Sequence, residues 1–260
     1  SYHKLKIIDV SNPASPTLLG SYNVRGSVAD LAVVGGTAFI AQYGWPLNGL
    51  ELVDVTDPAN PSQHSTYDLP NQTNDAKAVT VADSKAYLAT KQAGVYILDV
   101  SNLANPTQIG HYDTSEPSYD VEVQNNIAYV ANRDNGLLIL DVSDSANIVA
   151  LATTNSDWRA HKVALFNQKA YVVQKDRGLR IFDVTAPASP AVLGTFEAPS
   201  QVRDVRVSAD GAYGYYSSPG KFWVTDMTNP VLPVPIGSCD LASTEEFNDN
   251  WLFVADNTAY

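Results

Sequence analysis

The chain has one cysteine, Cys239, and one methionine, Met227, in 260 residues. No intramolecular disulfide can form. That fits a reducing compartment, and it fits equally a surface protein that manages without disulfides. With no histidine patterned beside it, Cys239 reads as a small, buried or half-buried apolar residue and not as a nucleophile. Charge is also scarce: charged residues make up 17% of the chain, below the usual ~25%. What charge there is leans acidic, 28 Asp and Glu against 16 Lys and Arg, for a net charge of −12. Such a field repels phosphate backbones and anionic lipid headgroups, which argues against nucleic-acid and membrane-surface partners. No run reaches the ~18 apolar residues of a transmembrane helix. The first residues, Ser1-Tyr2-His3-Lys4, lack the apolar core of a signal peptide, so an exported protein would be present here in mature or excised form. There is no Gly-x-Ser-x-Gly elbow, no phosphate-binding or dinucleotide glycine loop, and no paired Cys or His-x-x-x-His zinc pattern. Asn71-Gln72-Thr73 matches a glycosylation sequon, which matters only in a secreted eukaryotic protein.

What the chain does have is a repeat. An apolar run ending in Asp recurs at Ile7-Ile8-Asp9, Leu52-Val53-Asp54, Ile97-Leu98-Asp99, Ile139-Leu140-Asp141, Ile181-Phe182-Asp183 and Val224-Thr225-Asp226. The anchor aspartates are spaced by 45, 45, 42, 42 and 43 residues. A turn-forming tail follows several of them, as in Ser11-Asn12-Pro13-Ala14-Ser15-Pro16 and Thr56-Asp57-Pro58-Ala59-Asn60-Pro61. Within one period four short strands are legible. In the third copy they are Tyr119–Val123, Ile127–Ala131, Leu137–Val142 and Ile148–Ala152, with the first turn at Asn126. The apolar runs are short, rich in Val, Ile and Tyr, and cut by Asn, Gly and Pro, which excludes helices. Four strands per ~40–45 residues is the pattern of propeller blades. The expected fold is all-β: a six-bladed β-propeller of four-stranded antiparallel blades, one domain over residues 1–260. The chain starts in a third strand, Leu5–Val10, and ends after a second strand, Trp251–Ala255, so the terminal strands are expected to share the closing blade and leave no open sheet edge.

The segments Asp120-Val121-Glu122-Val123, Ile127-Ala128-Tyr129-Val130-Ala131-Asn132 and Gly136-Leu137-Leu138-Ile139-Leu140-Asp141-Val142-Ser143 together look like one full repeat of the LVIVD family of β-propellers. The resemblance runs along essentially the whole chain and is weakest in the last unit, where Glu245-Glu246 replaces alternating residues. It implies a bacterial or archaeal cell-surface or extracellular protein, and it brings no catalytic motif.

Two sets of candidate site residues follow. Aligning the copies on a strand-two aromatic (Phe39, Tyr87, Tyr129, Tyr171, Tyr213, Phe253) puts Asp30, Ala78, Asp120, Lys162, Asp204 and Thr244 at the opening of strand one. Asp30, Asp120 and Asp204 then alternate around the axis and could hold Ca²⁺, which takes six to eight oxygens. The competing reading has them capping strand starts or pairing with Lys162, Lys77 and Arg203. The anchor aspartates, by contrast, are expected to accept hydrogen bonds from their own turns.

The second set lies on the loops at the channel mouth. The spacing from strand-two aromatic to anchor Asp is 12 in three copies but 15 from Phe39 to Asp54, and the connection Leu69–Asp75 is also long. These extra residues gather Tyr43, Trp45, Asn48, Asn71 and Asn74, with Tyr2, His3 and Tyr260 nearby. On the same face, Asp157-Trp158-Arg159-Ala160-His161 leads into the fourth blade. Exposed Trp and Tyr among amides suit sugar rings or a protein surface. The function expected first is an interaction or adhesion module binding a glycan or protein by this face. A structural subunit that self-assembles is the second reading. A Ca-dependent propeller hydrolase, with His161 as general base, is the third.

Overall fold

A computed structural model describes residues 3–12, 14–44, 47–70, 75–154, 159–174, 177–198, 201–208, 210–218, 220–240, 254–255 and 258–259. Among them there are only strands, turns and bends. A hairpin of β1 (Lys4–Asp9) and β2 (Thr17–Asn23) comes first, followed by five four-stranded sheets. The first sheet is β3 (Ser27–Val34), β4 (Thr37–Tyr43), β5 (Gly49–Asp54) and β6 (Ser62–Asp68). The second is β7 (Ala76–Ala82), β8 (Lys85–Thr90), β9 (Gly94–Asp99) and β10 (Thr107–Tyr112). The third is β11 (Asp120–Gln124), β12 (Ile127–Ala131), β13 (Leu137–Asp141) and β14 (Val149–Thr153). The fourth is β15 (Ala160–Phe166), β16 (Lys169–Gln174), β17 (Gly178–Asp183) and β18 (Ala191–Glu197). The fifth is β19 (Asp204–Val207), β20 (Tyr213–Ser218), β21 (Lys221–Asp226) and β22 (Val234–Asp240). Each sheet is a meander whose spatial order follows the chain. A short hairpin, β23 (Val254–Ala255) with β24 (Thr258–Ala259), comes last. β23 falls in the expected second strand, Trp251–Ala255, and is followed by a partner, β24, where the sequence pattern ends on that second strand. The expected strand over 244–247 lies outside the described residues.

The local chemistry explains the blades. Strands two and three carry the apolar residues and are almost wholly buried: Tyr87, Leu88, Ile97 and Leu98 in the second sheet, Val172, Ile181 and Phe182 in the fourth. Each such side chain contributes about 1.5–3 kcal/mol by leaving water. In four of the sheets strand one turns into strand two through two left-handed residues. They are Gly35-Gly36, Asp83-Ser84, Asn125-Asn126 and Asn167-Gln168, with φ between 44° and 79°. Paired positive φ is the type I′ turn, whose twist matches antiparallel strands.

The fifth sheet departs. Asp204 pairs with Ser217 and Val207 with Gly214, so its turn is longer. Ser208 and Asp210 close it: Ser208 Oγ donates to Asp210 Oδ1 at 2.6 Å and accepts from Tyr213 N at 2.9 Å. The aromatic opposite Val224, equivalent to Tyr87 opposite Ile97, is consequently Tyr215. The sequence alignment had placed Tyr213 there. The longer turn offsets that slip, so Asp204 keeps the strand-one rank assigned to it.

The anchor aspartates cap their turns as expected. Asp9, Asp54, Asp99, Asp183 and Asp226 each accept the amide N–H two residues on, at 2.8–2.9 Å. These bonds hold the carboxyl groups below their ordinary pKa.

The chain divides into two compact units, Ser1–Val123 with Ser143–Ile148, and Gln124–Val142 with Val149–Tyr260. Within each unit one contact recurs between successive blades. Strand four carries a small residue opposite the middle of strand three, and the tail of the next blade presses a carbonyl against it. A Cβ at Gly20, Gly110 or Gly194 would stand 2.1 Å from the carbonyl oxygen of Pro58, Ser145 or Pro230. In the first blade the residue is Ser65, whose hydroxyl donates to Leu103 O at 2.6 Å. Cys239 is exposed. The expected full or partial burial fails because it lies on β22, where every residue is exposed.

Candidate functional site

The loop ends of the blades are stitched in pairs. In the first unit, β4 ends at Tyr43 and the first blade's loop runs back to Asn48. Asn48 is 2% exposed. Its carbonyl accepts Leu69 N at 2.9 Å and its side-chain oxygen accepts Ala76 N at 3.4 Å. Asn48 therefore holds the loop to the next blade from inside. The Lys77 ammonium lies 4.2 Å from the centroid of the half-buried Tyr43 ring and 3.5 Å from Asp75 Oδ2. Tyr43, Asp75 and Lys77 thus form one partly exposed cluster across two blades. His3 Nε2 approaches Ser27 Oγ at 3.4 Å on the neighbouring strand start. Trp45, Asn71 and Asn74 lie outside the described residues, as do Tyr2 and Tyr260.

In the second unit, the third blade's loop holds Arg133 and Asp134, and Arg159 leads into the fourth blade. Arg159 Nε donates to Asp134 Oδ1 at 3.2 Å, and Arg133 Nε stands 3.8 Å from Asp134 Oδ2. The carbonyl of Arg133 accepts both Gly136 N and Ala160 N at 3.0 Å. Ala160 and Arg133 form an isolated antiparallel bridge. His161, next along β15, is half-buried and engaged. Asp157 and Trp158 lie outside the described residues.

The three strand-one aspartates are each tied into their own surroundings. Asp30 Oδ2 accepts Val79 N of the next blade at 3.1 Å. Asp120 is buried and engaged. Asp204 is buried, accepts Val205 N at 2.8 Å and lies 4.0 Å from Arg206 Nη2. Lys77, offered as an alternative partner for this set, goes to Asp75 and Tyr43 instead. Among the described residues no group of three or more His, Cys, Asp or Glu side chains could hold a metal ion.

The sequence reading missed one site. Glu51 sits in the apolar run of β5 and is 0% exposed. Tyr22 Oη donates to its Oε1 at 2.8 Å, and Gln42 Nε2 and Arg25 N donate to Oε2 at 2.5 and 3.2 Å. Gln42 in turn accepts Gly26 N at 2.7 Å. Burial and the Glu51 carboxylate push the Tyr22 hydroxyl well above its ordinary pKa. The signal was Glu51 itself, an acidic residue at a rank where Tyr96, Leu138, Arg180 and Trp223 stand in later copies. Its donors come from strands and loops too distant in sequence to be paired by eye. This network joins β2 to the first blade and reads as a structural latch.

At the opposite end of the strands, a cleft of about 270 Å³ in the second unit is lined by Asn167, Lys169, Tyr171, Asp210, Met227 and Thr228. It sits beneath the turn and tail residues and away from the loops at Arg133 and Arg159.

Four-stranded meander sheets repeating along the chain are the blades of a β-propeller. The chain belongs to the LVIVD-repeat family, which matches residues 2–24, 25–69, 74–114, 117–154 and 159–198. Similar solved structures include a functionally unknown protein of Desulfotomaculum acetoxidans, 12% identical, covering 90% of this chain and 78% of that one with a TM-score of 0.75. A periplasmic gluconolactonase of Pseudomonas aeruginosa is 11% identical over 88% of this chain and 77% of its own, with a TM-score of 0.71. The β-propeller domain of Cps50 (Swd1) from Myceliophteria thermophila is 10% identical over 87% and 78%, with a TM-score of 0.69. At such identities the likeness is one of fold alone. No curated protein matches the chain. No helix among the described residues is long and apolar enough to cross a membrane.

Proposed function

We propose that this chain is an interaction module, displayed at a cell surface or outside the cell, that binds a glycan or a partner protein through the loops joining strands two and three and those leading into strand one. The observation that carries this reading is the pairing of loops on that face. Tyr43 with Lys77, and Arg133 with Arg159 across Asp134, present aromatic and cationic groups held in place by neighbouring blades. Binding groups fixed to a rigid scaffold lose little freedom on association. The sequence adds Trp45, Asn71, Asn74 and Trp158 to the same loops. A glycan array and a co-precipitation screen with the intact chain test the reading. The double variant Trp45→Ala/Trp158→Ala is expected to lose the ligand found, and unchanged binding would remove the site assignment.

The reading takes residues 1–260 as one six-bladed domain, closed by a composite blade whose outer strands are β1 and β2 and whose inner strands come from 244–255. On β22, Val234 and Ile236 are exposed, and a Cβ at Gly237 would meet no described residue within 4 Å, where Gly20, Gly110 and Gly194 each abut the next tail. The same apolar strand favours self-assembly as a second reading, with β22 covered by another copy. Light scattering across a concentration series separates the two, since a closed propeller stays monomeric.

A further inference from the structure

Arg133 has φ +38°. The other non-glycine residues of positive φ, among those described, all sit in the two-residue turns between strands one and two, where the turn type requires it. Arg133 lies in a loop between strands two and three, and its side chain is long. A left-handed residue of this kind costs about 1–3 kcal/mol and persists only where its surroundings over-determine it. They do so here. Asn132 N donates to Gly136 O at 2.8 Å and Asn135 Nδ2 to Asn132 Oδ1 at 2.9 Å, while the Arg133 carbonyl is fixed by Gly136 and Ala160.

The strained backbone sets Arg133 beside Asp134 and Arg159. One carboxylate is shared by two guanidinium groups, so the trio carries net charge +1 in a chain of −12. The Arg159 side chain is 56% exposed. Asp134 engages its Nε, and its two Nη groups meet no partner among the described residues. An unspent planar fork of this kind matches a carboxylate.

We infer that the Arg133–Asp134–Arg159 ledge binds the carboxylate of a uronic-acid residue in a glycan. This rests on the glycan side of the proposed function and names its sugar class. The field of a chain of net charge −12 repels a densely anionic peptide more than a glycan with isolated carboxylates.

The test is calorimetric titration of the intact chain with an otherwise neutral trisaccharide carrying one galacturonate residue, with its methyl ester and with a glutamate-rich peptide of similar length. The acid is expected to bind at least about tenfold tighter than the ester, as suits a charge-assisted hydrogen bond. Arg159→Gln is expected to abolish that preference with an unchanged melting temperature. Arg133→Asn, which tolerates the left-handed backbone, is expected to weaken it. Equal affinity for acid and ester overturns the inference and leaves the glycan reading standing. So does an acid preference retained in Arg159→Gln. If the glutamate peptide binds and neither sugar does, the inference falls together with the glycan reading.

Discussion

The ammonium of Lys77 rests 4.2 Å from the centre of the Tyr43 ring, which belongs to the preceding blade. The contact ties the end of β4 to the start of β7, and Asp75 Oδ2 lies 3.5 Å from the same ammonium. A half-exposed cation–π pair contributes about 0.5–1 kcal/mol. Tyr43→Ala and Lys77→Ala should each lower the urea midpoint slightly, and the double variant should lose less than the sum of the two. Additive losses would show the pair to be uncoupled.

The Glu51 latch makes a larger prediction. Tyr22→Phe removes one donor from a fully buried carboxylate and should cost about 1–3 kcal/mol. Gln42→Ala takes away the amide that bonds both Glu51 and Gly26, so it should cost at least as much. Urea unfolding of both variants checks this. Losses near zero would mean that water replaces the donors and that the site is open.

Tail docking is tested at glycine. Gly110→Ala puts a methyl group into the Ser145 carbonyl and forces the next tail outward, at about 1–3 kcal/mol of overpacking. Ser65→Ala loses one hydrogen bond to Leu103, worth about 1 kcal/mol. The revealing position is Gly237. In a closed propeller Gly237→Ala should destabilise as Gly110→Ala does; if β22 stays uncovered, it should be neutral.

Acid should unfold the chain through its turns. The carboxyls of Asp9, Asp54, Asp99, Asp183 and Asp226 are held below their ordinary value by bonds from Ser or Thr two residues on. A folded pKa below the unfolded one contributes stability above the unfolded value, about 4. That stability is lost as pH falls through the lowered folded values. Melting temperature should therefore drop steeply below about pH 4, and Asp99→Asn should flatten the drop. A profile unchanged in Asp99→Asn would remove that cap from the account.

Much of this architecture was legible in the sequence, because blades are local. Strands two and three are apolar runs, Asn125-Asn126 announces a left-handed turn, and the Asp–Ser/Thr caps act over two residues. Relations that span blades were hidden. The Glu51 donors lie 9 to 29 residues away, and the strand-four glycines make sense only beside a tail that follows them by some 35–38 residues, as Gly20 does Pro58. Tyr213 was taken for Tyr215 because a longer turn shifts the aromatic without changing the pattern. At the loop face, the sequence singled out Tyr43 and Arg159 by their company. Asn48 was grouped with them as a binding residue, yet it is buried and holds Leu69 and Ala76. Arg133 and Asp134 are not among the sequence candidates, since left-handed backbone at an arginine has no sequence signature.

The most direct test of the central claim is a hydrogen-exchange footprint of the intact chain with and without the ligand selected on the glycan array. The account predicts protection at 43–48, 71–77, 133–135 and 157–161, and none at the anchor tails such as 56–61. Protection confined to those tails, or to the turns at 167–168 and 208–212, would contradict it and move the binding face to the opposite end of the blades.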